Sequence, residues 1–195
     1  AGATVLPAFA QQRFDAGKDY LPLDKPAPIE TPSGKIEVVE FFWYGCPHCY
    51  NLQPALERWI NRKPADVTIR RIPAILRDSW APHARIYYTL EALGEVERLH
   101  QRVYHAYHVE QLQMSKPEVM VEWALRNGIA RERWDEAYGS AEVQRKVEDA
   151  AKLTRAYSIT GTPSLVVNGR YLTSGSMVET LAGLIPIVDG LVQKV

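Results

Sequence analysis

Cys46 and Cys49 are the only cysteines among 195 residues, and just Pro47 and His48 separate them. If Pro47 opens a helix, both thiols fall on its first turn, close enough to bridge, which is the spacing of a redox pair. A helix start leaves backbone N–H groups unpartnered and carries partial positive charge, so a thiolate at Cys46 is stabilised and its pKa falls. His48, when protonated, adds to that effect. A sulfur that is stable as an anion is also a good leaving group, so the disulfide of such a pair is open to attack by a foreign thiol. The chemistry expected of the pair is oxidation of thiols in other proteins.

Other uses of two cysteines fit less well. A structural zinc site takes four ligands, and the chain has no second C-x-x-C and no H-x3-H. Tyr50, not histidine, follows Cys49, which removes haem attachment. A bridge inside one helical turn closes too short a loop to serve stability. From helix geometry Cys46 is the exposed, attacking sulfur and Cys49 the more buried one that resolves a mixed disulfide.

The elements that must position this pair follow from patterning. Tyr20 to Thr31 carries Pro22, Pro26 and Pro28 and reads as an extended lead-in, ended by a turn at Ser33-Gly34. Ile36 to Phe42 is a buried strand, nearly all apolar or β-branched apart from Glu37 and Glu40. The helix after it shows Leu52, Leu56, Trp59 and Ile60 on one face and ends before Pro64, with Pro54 predicted to kink it. Val67 to Ile72 is a second strand, so the unit is a right-handed crossover between parallel strands, with the dithiol at a strand's carboxyl end.

From about 77 to 157 the patterns turn helical, with stripes at Val96, Leu99, Val103 and Tyr107, at Met120, Trp123 and Ala124, and along a long returning helix from Val143 to Tyr157. Leu165 to Leu172 holds two β-runs around Asn168-Gly169, read as a two-residue hairpin. Met177, Leu181, Leu184, Val188 and Leu191 repeat at helical spacing, with Pro186 kinking or dividing that helix. The aromatics Trp43, Tyr44, Trp80, Tyr87, Tyr88, Trp123 and Trp134 read as core. His83, His100, His105 and His108 read as helix-surface residues.

The motif F-F-x-x-x-C-P-H-C-Y, from Phe41 to Tyr50, resembles the active site of the DsbA-type thiol:disulfide oxidoreductases of the thioredoxin superfamily. The inner dipeptide Pro47-His48 goes with the strong oxidants of that superfamily, whereas Gly-Pro marks thioredoxins and Gly-His marks protein disulfide isomerases. A low cysteine pKa and an oxidising couple are properties of that family, carried here by the resemblance. Pro54, five residues beyond Cys49, and Gly161-Thr162-Pro163, similar to a cis-proline loop facing the dithiol, extend it.

The resemblance implies an α/β, thioredoxin-like fold over 11–76 and 158–195, interrupted by an all-helical domain over 77–157. It implies a cis Thr162-Pro163 bond with the Thr162 backbone pairing a substrate strand. It also implies that Glu40, a buried acid six residues before Cys46, helps to move a proton from Cys49; a pairing of Glu40 with a Lys or Arg at the sheet edge competes with that reading. The family often has a second acid four residues past the second cysteine, where this chain has Gln53.

By the same resemblance the chain donates its Cys46-Cys49 disulfide to reduced, exported polypeptides in the periplasm, needs no cofactor beyond that disulfide, and is reoxidised by a membrane quinone reductase of the DsbB type. An isomerase or reductase remains the alternative within enzymes. A metal-binding or polypeptide-binding module using Cys46, His48 and Cys49 is the alternative outside them.

Composition agrees with a globular protein acting on polypeptides. Apolar residues make up 46% of the chain, enough for a sizeable core. Lys plus Arg and Asp plus Glu number 23 each, so no electrostatic footprint for nucleic acid exists. No stretch approaches eighteen uninterrupted apolar residues, so a membrane-embedded chain is not expected. A monomer is expected alongside the resemblance. The first ten residues end in Ala8-Phe9-Ala10, a small-x-small pattern read either as a signal-peptide remnant or as an ordinary apolar N-terminus.

Overall fold

The computed structural model describes residues 14–195. The small-x-small pattern and the expected domain start at residue 11 lie outside them. The lead-in after Tyr20 forms a two-residue strand, β1 (Leu21–Pro22), and then runs extended to the turn at Gly34. β2 (Ile36–Phe42) leads into α1 (Pro47–Arg62), and α1 returns to β3 (Val67–Pro73), which pairs with β2 in parallel from Ile36–Val67 to Phe42–Pro73. Helix α1 runs as one element through Pro54 and stops short of Pro64.

Five helices follow without a strand: α2 (Ala81–Ala92), α3 (Val96–His108), α4 (Pro117–Arg126), α5 (Arg131–Tyr138) and α6 (Ala141–Ala156). The chain then re-enters the sheet as β4 (Ser164–Val167) and β5 (Tyr171–Ser174), and closes with α7 (Leu184–Lys194). The strand order is β1-β5-β4-β2-β3, with β4 antiparallel to β2 and β5 antiparallel to β4. This is a thioredoxin-like sheet with a helical insertion between β3 and β4.

Alternation along the two central strands divides the core. Val38 of β2 and Leu165 and Val167 of β4 pack with Leu56 and Trp59 of α1 and with Val188 of α7. Val39, Phe41 and Val166 point the other way, where the Phe41 ring meets Tyr157 at 5.0 Å. A strand covered on both faces must be apolar at successive positions, which is why Ile36 to Phe42 lacks a clean polar face.

The structure corrects three expectations. Val167 pairs with Tyr171, so the hairpin loop is three residues, Asn168-Gly169-Arg170, not two. The lead-in is the reason: Leu23 N–H donates to the Arg170 carbonyl and Ala27 N–H to that of Gly169, each at 2.8 Å, so the loop carbonyls are bonded outward. Gly169 is required there, because its φ is +62° and a Cβ would meet the Ala27 carbonyl oxygen at 2.4 Å.

The last apolar stripe is not one helix. Met177 and Leu181 lie in separate 3-10 turns, and α7 begins only at Leu184, which puts Pro186 in the first turn where a missing N–H costs nothing. The third correction concerns the histidines. His83 and His100 are buried at 3% exposure each, and His108 is half-buried; only His105 is a surface residue.

Candidate active site

Cys46 sits at the junction of β2 and α1 as the helix N-cap, in extended conformation, with Pro47 at the first helical position. Its own N–H donates to the Trp43 carbonyl at 2.9 Å, which closes the turn out of the strand. Its sulfur occupies the place of a capping oxygen and accepts the Cys49 backbone N–H at 3.4 Å. The two thiols are free, and Cys46 keeps 7% of its surface exposed whereas Cys49 keeps none.

The two sulfurs titrate in opposite directions. Cys46 is drawn from the ordinary thiol range down to about 5, first by the hydrogen bond from the Cys49 thiol, against the opposing effect of burial, and then by the Thr162 side chain and the backbone N–H groups of Cys49 and His48. Cys49 is pushed well above the ordinary range, by burial first and by the neighbouring Cys46 second. At neutral pH the pair therefore holds one negative charge, on the outer sulfur.

The loop before β4 faces this pair. Thr162-Pro163 is a cis peptide bond, and the Cys46 thiol, when protonated, donates to the Thr162 carbonyl oxygen at 3.3 Å. The end of β5 pins the loop, with Gly175 N–H donating to the Pro163 carbonyl at 3.0 Å. Pro47 and His48 are exposed on the first turn of α1, and it is the His48 backbone N–H that acts on the Cys46 sulfur.

Glu40 is fully buried on β2, and its two oxygens accept from different partners: Gln53 Nε2 at 2.8 Å and Arg71 Nε at 3.1 Å. Arg71 lies on the edge strand β3 and also pairs with Glu57 of α1 at 2.5 Å. Burial pushes the Glu40 carboxyl up, and the Arg71 charge and the Gln53 amide pull it back. The pairing with an arginine at the sheet edge is thus present, and Gln53 fills the place of a second acid as a hydrogen-bond donor. Gln101 of α3 fixes the Gln53 amide in turn, donating to its Oε1 at 3.0 Å.

Two features near the dithiol escape the sequence reading. Trp43 folds back over Gly45, where any Cβ would meet its ring at 2.3 Å, and stacks on Trp80 with centroids 4.1 Å apart and planes 1° from parallel. Both indoles are half-buried, not core. The inner face of α3 presents His100, Tyr104 and His108 at spacings of four. His100 Nδ1 shares a 2.8 Å hydrogen bond with the Tyr44 hydroxyl, and His108 Nε2 donates to the Tyr44 carbonyl at 2.8 Å. The regular i, i+4, i+8 spacing was the available signal, since it places all three on one face. Among the described residues no three His, Cys, Asp or Glu side chains converge as a candidate metal site.

A family model described as a DSBA-like thioredoxin domain matches residues 75–185. The thiol:disulfide interchange protein DsbA of Bordetella pertussis is 40% identical over 192 residues, covering 98% of this chain and 90% of the relative. The DsbA of Pseudomonas aeruginosa is 39% identical over 185 residues, covering 93% of this chain and 85% of the relative. A crystal structure of Pseudomonas aeruginosa DsbA superposes with a TM-score of 0.87 at 38% identity, over 93% of this chain and 94% of that one.

Proposed function

Because this chain belongs to the DsbA family of thiol:disulfide oxidoreductases, and so donates disulfides to other polypeptides, we propose which atoms carry the reaction and where it runs. A substrate thiolate attacks Cys46 Sγ, the Cys46–Cys49 bond breaks, and its electron pair leaves on Cys49. A second substrate thiolate then displaces Cys46 from the mixed disulfide. Substrate departs with one new disulfide and the enzyme is left with two reduced cysteines, Cys46 as thiolate and Cys49 as thiol. The observation that carries this reading is the capped Cys46 sulfur, drawn down to about 5 beside a partner pushed up. A sulfur so stabilised in the reduced protein favours giving the disulfide away.

In this reading Thr162 and Pro163 hold the substrate strand, the backbone of Thr162 lying beside Cys46. Pro47 and His48 tune the outer sulfur. Glu40, held between Gln53 and Arg71, takes part in moving the proton of Cys49. The thioredoxin-like domain is assigned to 11–76 and 158–195 and the helical domain to 77–157. Family membership supports a periplasmic location, exported reduced polypeptides as substrates, reoxidation by a membrane partner of the DsbB type, a monomeric state, and the disulfide as the only redox group. Among the described residues no helix is long and apolar enough to cross a membrane.

Equilibrating the dithiol against reduced and oxidised glutathione tests the assignment. A couple more oxidising than glutathione is expected; a strongly reducing couple would place the protein with reductases instead.

A further inference from the structure

Glu40 is the inner end of a chain of side-chain hydrogen bonds that starts at the protein surface. Gln101, exposed on α3, donates from Nε2 to Gln53 Oε1 at 3.0 Å, and Gln53 Nε2 donates to Glu40 Oε1 at 2.8 Å. Arg71 Nε holds the other Glu40 oxygen at 3.1 Å. Gln53 and Glu40 have no exposed surface, and Gln53 follows Cys49 by one turn on the same buried face of α1. The helical insertion thus reaches the acid beneath the redox helix through a single amide.

The direction of this chain depends on the charge of its inner end. An ionised carboxylate only accepts, so Gln53 turns its NH2 group to Glu40 and its oxygen to Gln101, which must then donate. A protonated Glu40 has an O–H to give; Gln53 then turns its oxygen inward and its NH2 outward, and residue 101 must accept. In either state a wrong partner at 101 leaves a buried polar atom of Gln53 unpaired, which is costly. Glutamine carries both a donor and an acceptor, and an exposed side chain is free to rotate. It therefore suits both states.

We propose that Gln101 is a positioning residue for the redox reaction: by turning over with Gln53 it partners Glu40 in both of its charge states. The proposal rests on the reading that Glu40 exchanges a proton with Cys49. When Cys49 closes the disulfide its proton passes to Glu40, its sulfur bonds to Cys46, and the departing thiolate takes a proton from solvent; in disulfide donation each transfer runs backward. Glu40 changes charge once on each pass. The other ionisable groups around it hold theirs: Arg71 stays charged, and burial keeps the Tyr44, Tyr87 and Tyr104 phenols protonated and His100 neutral. Glu57 of α1 shares the Arg71 guanidinium.

The test replaces Gln101 by residues that serve one direction only. Gln101→Lys can only donate and favours the ionised acid; Gln101→Glu, when ionised, can only accept and favours the protonated one. The Glu40 carboxyl is titrated by carbon-13 NMR in the oxidised protein, in about 0.5 M salt, where the Debye length is about 4 Å. Its midpoint should fall with lysine and rise with glutamate, each by about 0.5 to 1 pH unit. The same two charges placed at His105, exposed one turn further along α3, should move it by no more than roughly 0.2 unit. Equal shifts from both positions would mean plain electrostatics and overturn the proposal, as would no shift from position 101. The premise has its own readout, the pH profile of glutathione release from the Cys46 mixed disulfide at saturating oxidised glutathione. Its acid limb should move with the Glu40 midpoint; an unmoved limb beside a moved midpoint overturns the part of Glu40 in the reaction, while the hold of Gln101 on it stands.

Discussion

Cys46 and Cys49 lie one helical turn apart and both are buried, yet what faces each sulfur differs. The outer sulfur has a rim of solvent, the open N-terminus of α1 and the Thr162 loop. The inner one has no exposed surface. The outer is drawn down to about 5 and the inner pushed well above the thiol range. The difference teaches that a dithiol is made oxidising less by the two cysteines than by the asymmetry of what faces them. Helix geometry alone gives one of them the unpaired N–H groups and the other the core.

The sharpest way to break the comparison is to remove one sulfur at a time. Cys46→Ser should abolish disulfide transfer, whereas Cys49→Ser should accumulate a covalent mixed disulfide with substrate on Cys46, seen by non-reducing gel and mass spectrometry. Equal trapping by both variants would mean that the sulfurs are interchangeable.

Next in size is the buried ion pair between β2 and β3. Arg71→Met leaves the fully buried Glu40 carboxylate without its counter-charge. Denaturant unfolding should show a loss of about 3–5 kcal/mol, with the larger value at the higher pH where Glu40 is ionised. A loss under 1 kcal/mol would show that Gln53 alone satisfies the acid.

A smaller effect comes from pH. In the reduced folded protein Cys46 titrates near 5, and in the unfolded chain near its ordinary 9.0. Between those values the unfolded chain binds the proton and the folded one does not, so the stability of reduced over oxidised protein rises with pH across that window and is lost as pH falls to about 5. From pH 5 to 7 the gain should be at most about 2 kcal/mol, since solvent at the rim screens the charge. A pH-independent difference would contradict the asymmetry. Smallest is His48→Ala, which should raise the Cys46 midpoint by roughly a few tenths of a pH unit, because an exposed charge is screened; no change would confine its role to its backbone N–H.

Local signals carried much of this. The C-P-H-C turn, the buried strand before it and the end of α1 before Pro64 were readable because each depends on a few adjacent residues. Thr162-Pro163 was placed against the dithiol by resemblance, not by physics, since 116 residues separate Thr162 from Cys46. What sequence missed are long-range pairings. The histidines of α2 and α3 looked like surface residues because imidazole is polar, but His100 is buried against Tyr44 from 56 residues away. The three-residue hairpin loop depended on the lead-in strand bonding the loop carbonyls, which no property of Asn168-Gly169 reveals. Trp43 and Trp80 read as core from sequence, and their mutual stacking depends on the turn Asp78–Trp80 ahead of α2, which sets Trp80 on Trp43 from a distant part of the chain.

The most direct measurement of the central claim is an ultraviolet titration of the Cys46 thiolate in the reduced protein. A midpoint near 5 is predicted. A midpoint in the range of a free cysteine, about 8.5, would contradict it.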